Sequence, residues 1–251
     1  GGKKSQYYNP ESSAYCYIGM EKPNHDIVIV GWDDSYPAEN FATKPEQDGA
    51  FICVNSWGDK FGENGYFYVS YFDSNIGIRN IVYTVVEDRN NYDNIYQSDE
   101  LGWTGKIGYN QDSAYFANVY TSDKDEILKS VGFYAIGEDT EYDFIENFQG
   151  TESFNTKRLA AKGLLKNAGY YTIKLNGDLI MQKNNKYAVV VYIKTPNSVH
   201  PVAVECKTDV TTDVVIDDGE GYISANGRSW ERVEETQNCN ICLKFYTDDM
   251  E

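Results

Sequence analysis

Asn24-His25-Asp26-Ile27-Val28-Ile29-Val30-Gly31-Trp32 and, further on, Ala50-Phe51-Ile52-Cys53-Val54-Asn55-Ser56-Trp57-Gly58 decide how this chain is read. Each couples a short apolar, β-branched run to one polar side chain at its end. Such runs, bounded by turn residues, read as strands: a buried one over Asp26–Trp32 and a second over Ala50–Asn55. His25 at the start of one strand and Asn55 at the end of the other can then meet across a sheet. A thiol is a poor nucleophile until an imidazole takes its proton. That imidazole must present the correct nitrogen, so its other N–H needs an acceptor, which a neutral amide supplies without adding charge. An indole such as Trp57 beside the pair would exclude water and strengthen the hydrogen bond. Asp26 adjoins His25, and neighbours on an extended strand point to opposite faces, so it is not expected to orient the ring.

Outward from this core, Asp33–Gly49 holds Pro37, Pro45 and many polar residues and reads as a long surface loop. Gly58, Gly62 and Gly65 mark a tight loop. Tyr66–Tyr71 and Asn80–Val86 read as third and fourth strands of a small antiparallel sheet or barrel. A polar stretch without period follows, so residues 87–99 are expected to link a first domain, 1–86, to a second, 100–251.

In the second domain, strand signals recur at Ser113–Thr121, Ile127–Ile136, Tyr142–Phe148, Tyr170–Leu175, Tyr187–Lys194, Val199–Glu205, Gly221–Ser224 and Asn240–Thr247. Tyr187–Ile193 is apolar throughout and predicts a central strand covered on both faces. Phe154–Asn167, with Lys157, Arg158, Lys162 and Lys166, reads as a short helix or a basic loop. The chain is thus mainly β, its second part a β-sandwich of jelly-roll type.

Composition narrows function. A formal charge of −17, from 22 basic and 39 acidic side chains, repels phosphate backbones and anionic lipid. No apolar run is long enough to span a bilayer. Five cysteines are an odd count and do not form the dense framework of small secreted chains. A tyrosine-rich, acidic, lysine-poor surface suits a secreted or cell-surface setting, with any export signal expected to have been removed or to lie on a missing segment.

The string from Asn24 to Asp34, then Phe41, then Asp48 to Gly58, then Phe61-Gly62-Glu63-Asn64-Gly65-Tyr66-Phe67 resembles the C-terminal half of papain-family cysteine peptidases, in the bacterial branch. The resemblance covers about residues 5–86. It implies that His25 is the general base and acid, Asn55 its orienter and Trp57 their shield. The family's nucleophile lies in a Gln…Cys-Trp pattern that this chain lacks. Cys16, in the segment leading to His25, reads as structural. The Cys and the oxyanion-hole Gln are therefore expected on a missing N-terminal segment or chain, with peptide-bond hydrolysis as the reaction and a protein or peptide as substrate. A half-domain of this kind should show either a partner chain, a swapped dimer or an exposed hydrophobic patch.

Residues 100–251 resemble the lectin-like domain that follows such peptidase domains in Gram-positive bacteria. Tyr115 to Tyr120, Val131-Gly132-Phe133-Tyr134, Ala168 to Ile173 and Ser224 to Trp230 carry that similarity. It implies carbohydrate as a partner, and a non-catalytic, surface ligand-binding module as the alternative to the peptidase reading. No cofactor is expected. Asp217-Asp218-Gly219-Glu220-Gly221 could offer hard oxygens to Ca²⁺, but it lacks EF-hand spacing and reads more readily as an acidic hairpin turn. Cys239-x-x-Cys242 has a zinc or redox spacing without a second pair or a nearby His. His200, before Pro201, is expected at a strand edge.

Overall fold

The computed structural model describes residues 6–78, 80–147, 158–209, 213–216 and 219–250. The chain divides into two compact units, Gly1–Val82 and Tyr83–Glu251.

In the first unit, β1 (Tyr8–Asn9), β2 (Ala14–Tyr15), β3 (Val28–Asp33), β4 (Ala50–Val54) and β5 (Tyr66–Ser70) form one sheet in the order β1-β2-β5-β4-β3. The β3–β4 and β4–β5 pairs are antiparallel, and β2 runs parallel to β5. Ala14, Cys16, Tyr36, Phe41 and Ala50 make one small core, and Cys53, Phe67 and Val69 another.

Three expectations for this unit are revised. The strand starting at Val28 is not buried: it is the outermost of the sheet, and Val28, Ile29, Val30 and Trp32 are exposed, Trp32 by 69%. An apolar run marks a strand that demands cover, but it does not say that the cover lies in the same chain. The segment from Asp33 to Gly49 is more than surface loop. It includes a 3₁₀ turn, Ala38–Asn40, and sends Tyr36, Ala38 and Phe41 inward, with Tyr36 stacked on Tyr68 at 4.1 Å. Asn80–Val86 is not a strand; it has no regular structure, and Ile81, Val82, Val85 and Val86 are exposed.

The second unit comprises β6 (Asn94–Tyr96), β7 (Gly105–Ile107), β8 (Ser113–Thr121), β9 (Glu126–Ala135), β10 (Thr140–Asn147), β11 (Arg158–Leu165), β12 (Gly169–Met181), β13 (Lys186–Lys194), β14 (Val202–Cys206), β15 (Gly221–Ser224), β16 (Glu231–Arg232), α1 (Val233–Gln237), β17 (Cys239–Ile241) and β18 (Leu243–Asp249). A six-stranded sheet, β11-β10-β13-β8-β15-β16, faces a four-stranded one, β12-β9-β18-β6, and β17-β14-β7 adds a third. Phe116, Phe144, Val189 and Val191 of the first meet Val131, Phe133, Met181 and Phe245 of the second in one continuous core. This is the mainly β sandwich expected. Alternate residues of β13 serve two environments: Tyr187, Val189, Val191 and Ile193 join the main core, while Ala188 and Val190 are buried on the opposite face.

The helix or basic loop expected over residues 154–167 is corrected. Residues 158–165 are β11, an edge strand whose Lys162 faces solvent while Ala160 and Ala161 are buried; residues 154–157 lie outside the described residues. The single strand expected over Asn240–Thr247 is two, because the chain changes sheet at Cys242, between β17 and β18.

Candidate active site

The β3–β4 register brings the two polar residues together. Val28 lies opposite Val54, so His25, ahead of β3, and Asn55, just past β4, emerge at the same end of the ladder. His25 Nε2 and Asn55 Oδ1 are 3.0 Å apart. An amide oxygen only accepts, so Nε2 carries the hydrogen and Nδ1 is left to deal with a reacting group. Asn55 is 6% exposed, and its N–H donates to the Gly65 carbonyl at 3.1 Å, which fixes the amide's base. His25 itself is exposed, so its ring is open to a partner from outside.

Trp57 stacks on the imidazole with ring centres 4.9 Å apart and planes 27° from parallel. Behind it stands an aromatic series that sequence reading did not assign to the site. Phe61 meets Trp57 edge-on at 5.0 Å, and Phe61 in turn contacts Phe67 at 5.3 Å and stacks on Tyr8 at 5.3 Å. Phe61 had a signal, an aromatic four residues after Trp57; Tyr8 had none, because its approach depends on how β1 joins the sheet.

The loop that carries Trp57 turns through left-handed backbone at Gly58, Gly62, Asn64 and Gly65. At Gly62 (φ +58°) a Cβ would lie 2.2 Å from the Tyr66 carbonyl oxygen, whereas at Gly58 (φ +81°) it would meet nothing within 4 Å. Gly62→Ala is therefore expected to lower stability by about 2–3 kcal/mol and Gly58→Ala by only about 1 kcal/mol. Urea midpoints of the two variants would test this; equal losses would refute the role given to the Tyr66 carbonyl.

None of the five thiols is activated. Burial pushes each above the ordinary thiol range, Cys53 and Cys239 to about 12. Cys16 and Cys53 lie within the two small cores of the first unit. A catalytic thiolate needs the opposite environment, one that lowers its pKa.

In the second unit, Cys239 and Cys242 part company: Cys239 pairs across the strands with Cys206, and Cys242 sits beside Asp99. Of the acidic turn considered for Ca²⁺, Asp217 and Asp218 lie outside the described residues. The backbone N–H groups of Gly219, Glu220 and Gly221 all donate to the Glu234 carboxylate, so this part of the turn receives an anion. Among the described residues no three His, Cys, Asp or Glu side chains cluster as metal ligands. His200 lies two residues before β14 and is half-buried.

Comparison with known proteins agrees with this division. Residues 3–86 match the papain family cysteine protease, and residues 95–247 match the lectin like domain. A cysteine proteinase of Carica papaya is 31% identical over 70 residues, which are 28% of this chain and 69% of that protein. Among solved structures, a clostridial cysteine protease, Cwp84, after propeptide cleavage superposes with a TM-score of 0.76 at 28% identity, covering 99% of this chain and 64% of that one. The cysteine protease and lectin-like domains of Cwp84, a surface layer associated protein of Clostridium difficile, give 0.74 at 26% identity, covering 99% and 57%. The chain thus spans less than two thirds of either structure. With the His25–Asn55 contact and the sandwich both in place, the chain belongs to the papain family of cysteine proteases through its first unit and to the lectin-like domain family through its second.

Proposed function

We propose that residues 6–78 supply the histidine–asparagine side of a cysteine peptidase whose nucleophilic sulfur comes from an N-terminal segment or a separate chain. The observation that carries this reading is the 3.0 Å contact between His25 Nε2 and Asn55 Oδ1 beneath the Trp57 indole. Nδ1 of His25 takes the thiol proton, and the thiolate attacks the scissile carbonyl. The same nitrogen then protonates the leaving amine, so a thioester forms and the peptide C–N bond breaks. Nδ1 next draws a proton from water, which attacks the thioester and releases the acid and the thiol. Throughout, Asn55 Oδ1 accepts from Nε2–H, which stabilises the charged ring without neutralising it. The exposed apolar residues of β3, Val28, Val30 and Trp32 among them, offer surface that the thiol-bearing half would cover.

A protein with this pairing, placed at the surface of a Gram-positive bacterium or released from it, would act on proteins or peptides. The likeness to a surface layer associated protein supports the setting. A second reading, carbohydrate binding by residues 83–251, is favoured by the lectin-like match and by an open cavity of about 410 Å³ lined by Tyr92, Lys129, Lys174, Leu175 and Asp178, among others.

The test is labelling of the protein with its upstream segment by a peptide bearing an electrophilic warhead. One cysteine preceding Gly1 should be modified. Modification of Cys16 or Cys53, or none at all even with a separate thiol-bearing chain supplied, would remove the peptidase reading and leave the binding module.

A further inference from the structure

We propose that Cys206 and Cys239 are an oxidative modification site, joined into a reversible β14–β17 disulfide by exchange with a small organic disulfide. The two residues are direct register partners on antiparallel strands, and both are thiols in this structure. The hydrogen-bond pattern fixes which kind of pair they form. Cys242 N–H donates to the Ala203 carbonyl at 3.2 Å, so positions 203 and 242 make a hydrogen-bonded pair. Antiparallel pairs alternate, so Val204/Ile241 is not hydrogen-bonded, Glu205/Asn240 is, and Cys206/Cys239 is not. Cys206 agrees independently: its N–H turns away from β17 and donates to Thr104 Oγ1 at 2.7 Å.

In a non-hydrogen-bonded pair the Cα atoms stand about 4.5 Å apart with side chains on one face. That is inside the range a disulfide spans, about 4.4–6.8 Å. Both side chains pack on the main core, Cys239 fully buried within it and Cys206 half-buried at its margin. Gly105 leaves the room: a Cβ there would lie 2.7 Å from Cys206 Sγ, so the absent side chain lets the sulfur swing. Cys16 and Cys53 belong to the other unit, and Cys242 packs against Asp99, which leaves one matched pair.

Cys206, the more exposed of the two, is the entry point. Its thiolate attacks RS–SR, giving a Cys206–S–S–R mixed disulfide and RS⁻. The Cys239 thiolate then attacks the Cys206 sulfur and expels the second RS⁻. The two RS⁻ ions take up the two thiol protons. In sum, two protein thiols lose two electrons, and one organic disulfide is reduced to two RSH. Burial holds the Cys239 thiol at about 12, so the closing step is the slow one and quickens with rising pH.

The experiment incubates the folded protein with oxidised glutathione at pH 7 and pH 9, quenches in acid, alkylates and digests without reduction. The expected product has lost two hydrogens and links a Cys206 peptide to the peptide spanning residues 233–244, with fragmentation placing the bond on Cys239 and the alkyl group on Cys242. It should form faster at pH 9 and revert with dithiothreitol. Cys239→Ser should trap glutathione on Cys206; if that variant does not fold, the wild-type map alone decides. A bond to Cys242, glutathione retained on wild-type Cys206 at both pH values, or a link that forms only in urea would overturn the proposal.

Discussion

Replacing His25 by alanine, in the protein that carries the upstream thiol, is expected to lower kcat/KM on a peptide substrate by about 10^4-fold or more. One ring serves as base in acylation, as acid for the leaving amine and as base again in deacylation, so its loss strikes every step. The fold should be indifferent, because His25 is exposed and leaves no cavity. Asn55→Ala removes a hydrogen bond to a charged ring, worth about 1.5–3 kcal/mol, and should cost about 10–150-fold, mostly in kcat. The two substitutions act through one unit, so the double variant should be no worse than His25→Ala. Steady-state kinetics on the three variants checks this; a His25→Ala enzyme within tenfold of wild type would end the assignment.

Lys244→Met is expected to destabilise the second unit by about 3–5 kcal/mol at pH 7. Asp99 is 0% exposed, and Lys244 Nζ lies 2.9 Å from its Oδ2, with only 12% of the lysine side chain exposed. The ammonium also donates to Gln97 Oε1 and to the Asp99 carbonyl, both at 2.9 Å. Burial raises the Asp99 pKa above its ordinary 3.8, and Lys244 counteracts that rise. A folded-state value above the unfolded one means that the native state binds the proton more tightly. Stability from this group is therefore full below pH 3.8 and falls as pH rises through the folded value. Without Lys244 the folded value climbs further, so the penalty at pH 7 grows while that at low pH does not. Urea unfolding should show a large deficit at pH 7 that shrinks towards pH 4, and Asp99→Leu added to Lys244→Met should restore most of it. A deficit equal at both pH values would show that Lys244 acts by packing alone.

The chemistry of the first unit was more legible than its packing. His25, Asn55 and Trp57 could be named because one ordered string holds them, and the antiparallel β3–β4 register brings His25 and Asn55 within 3.0 Å despite the long segment between the two strands. Which side of β3 meets solvent was not legible, since its apolar residues speak of burial while the structure leaves Val30 and Trp32 exposed. Tyr8 behind Phe61 was hidden for a different reason: the β1–β2 pair is placed by β2 lying against β5, more than fifty residues further along the chain. In the sandwich, the strand signal at Tyr170–Leu175 and the apolar run of β13 were plain. The sheet change at Cys242 and the Cys206–Cys239 register were not, because both depend on pairing between segments far apart in the chain.

β3 ends its sheet on the side away from β4. Beyond the β4 side, its row of amide and carbonyl groups meets no further strand among the described residues, and greasy side chains flank that row. Such a rim is a template on which another extended polypeptide can add; charged or proline-bearing guards are absent between Val28 and Trp32, and the bulge between Ile29 and Gly31 is what interrupts the row there. Made without a companion to cap that rim, these residues should clump as their concentration rises; made alongside one, they should stay dispersed.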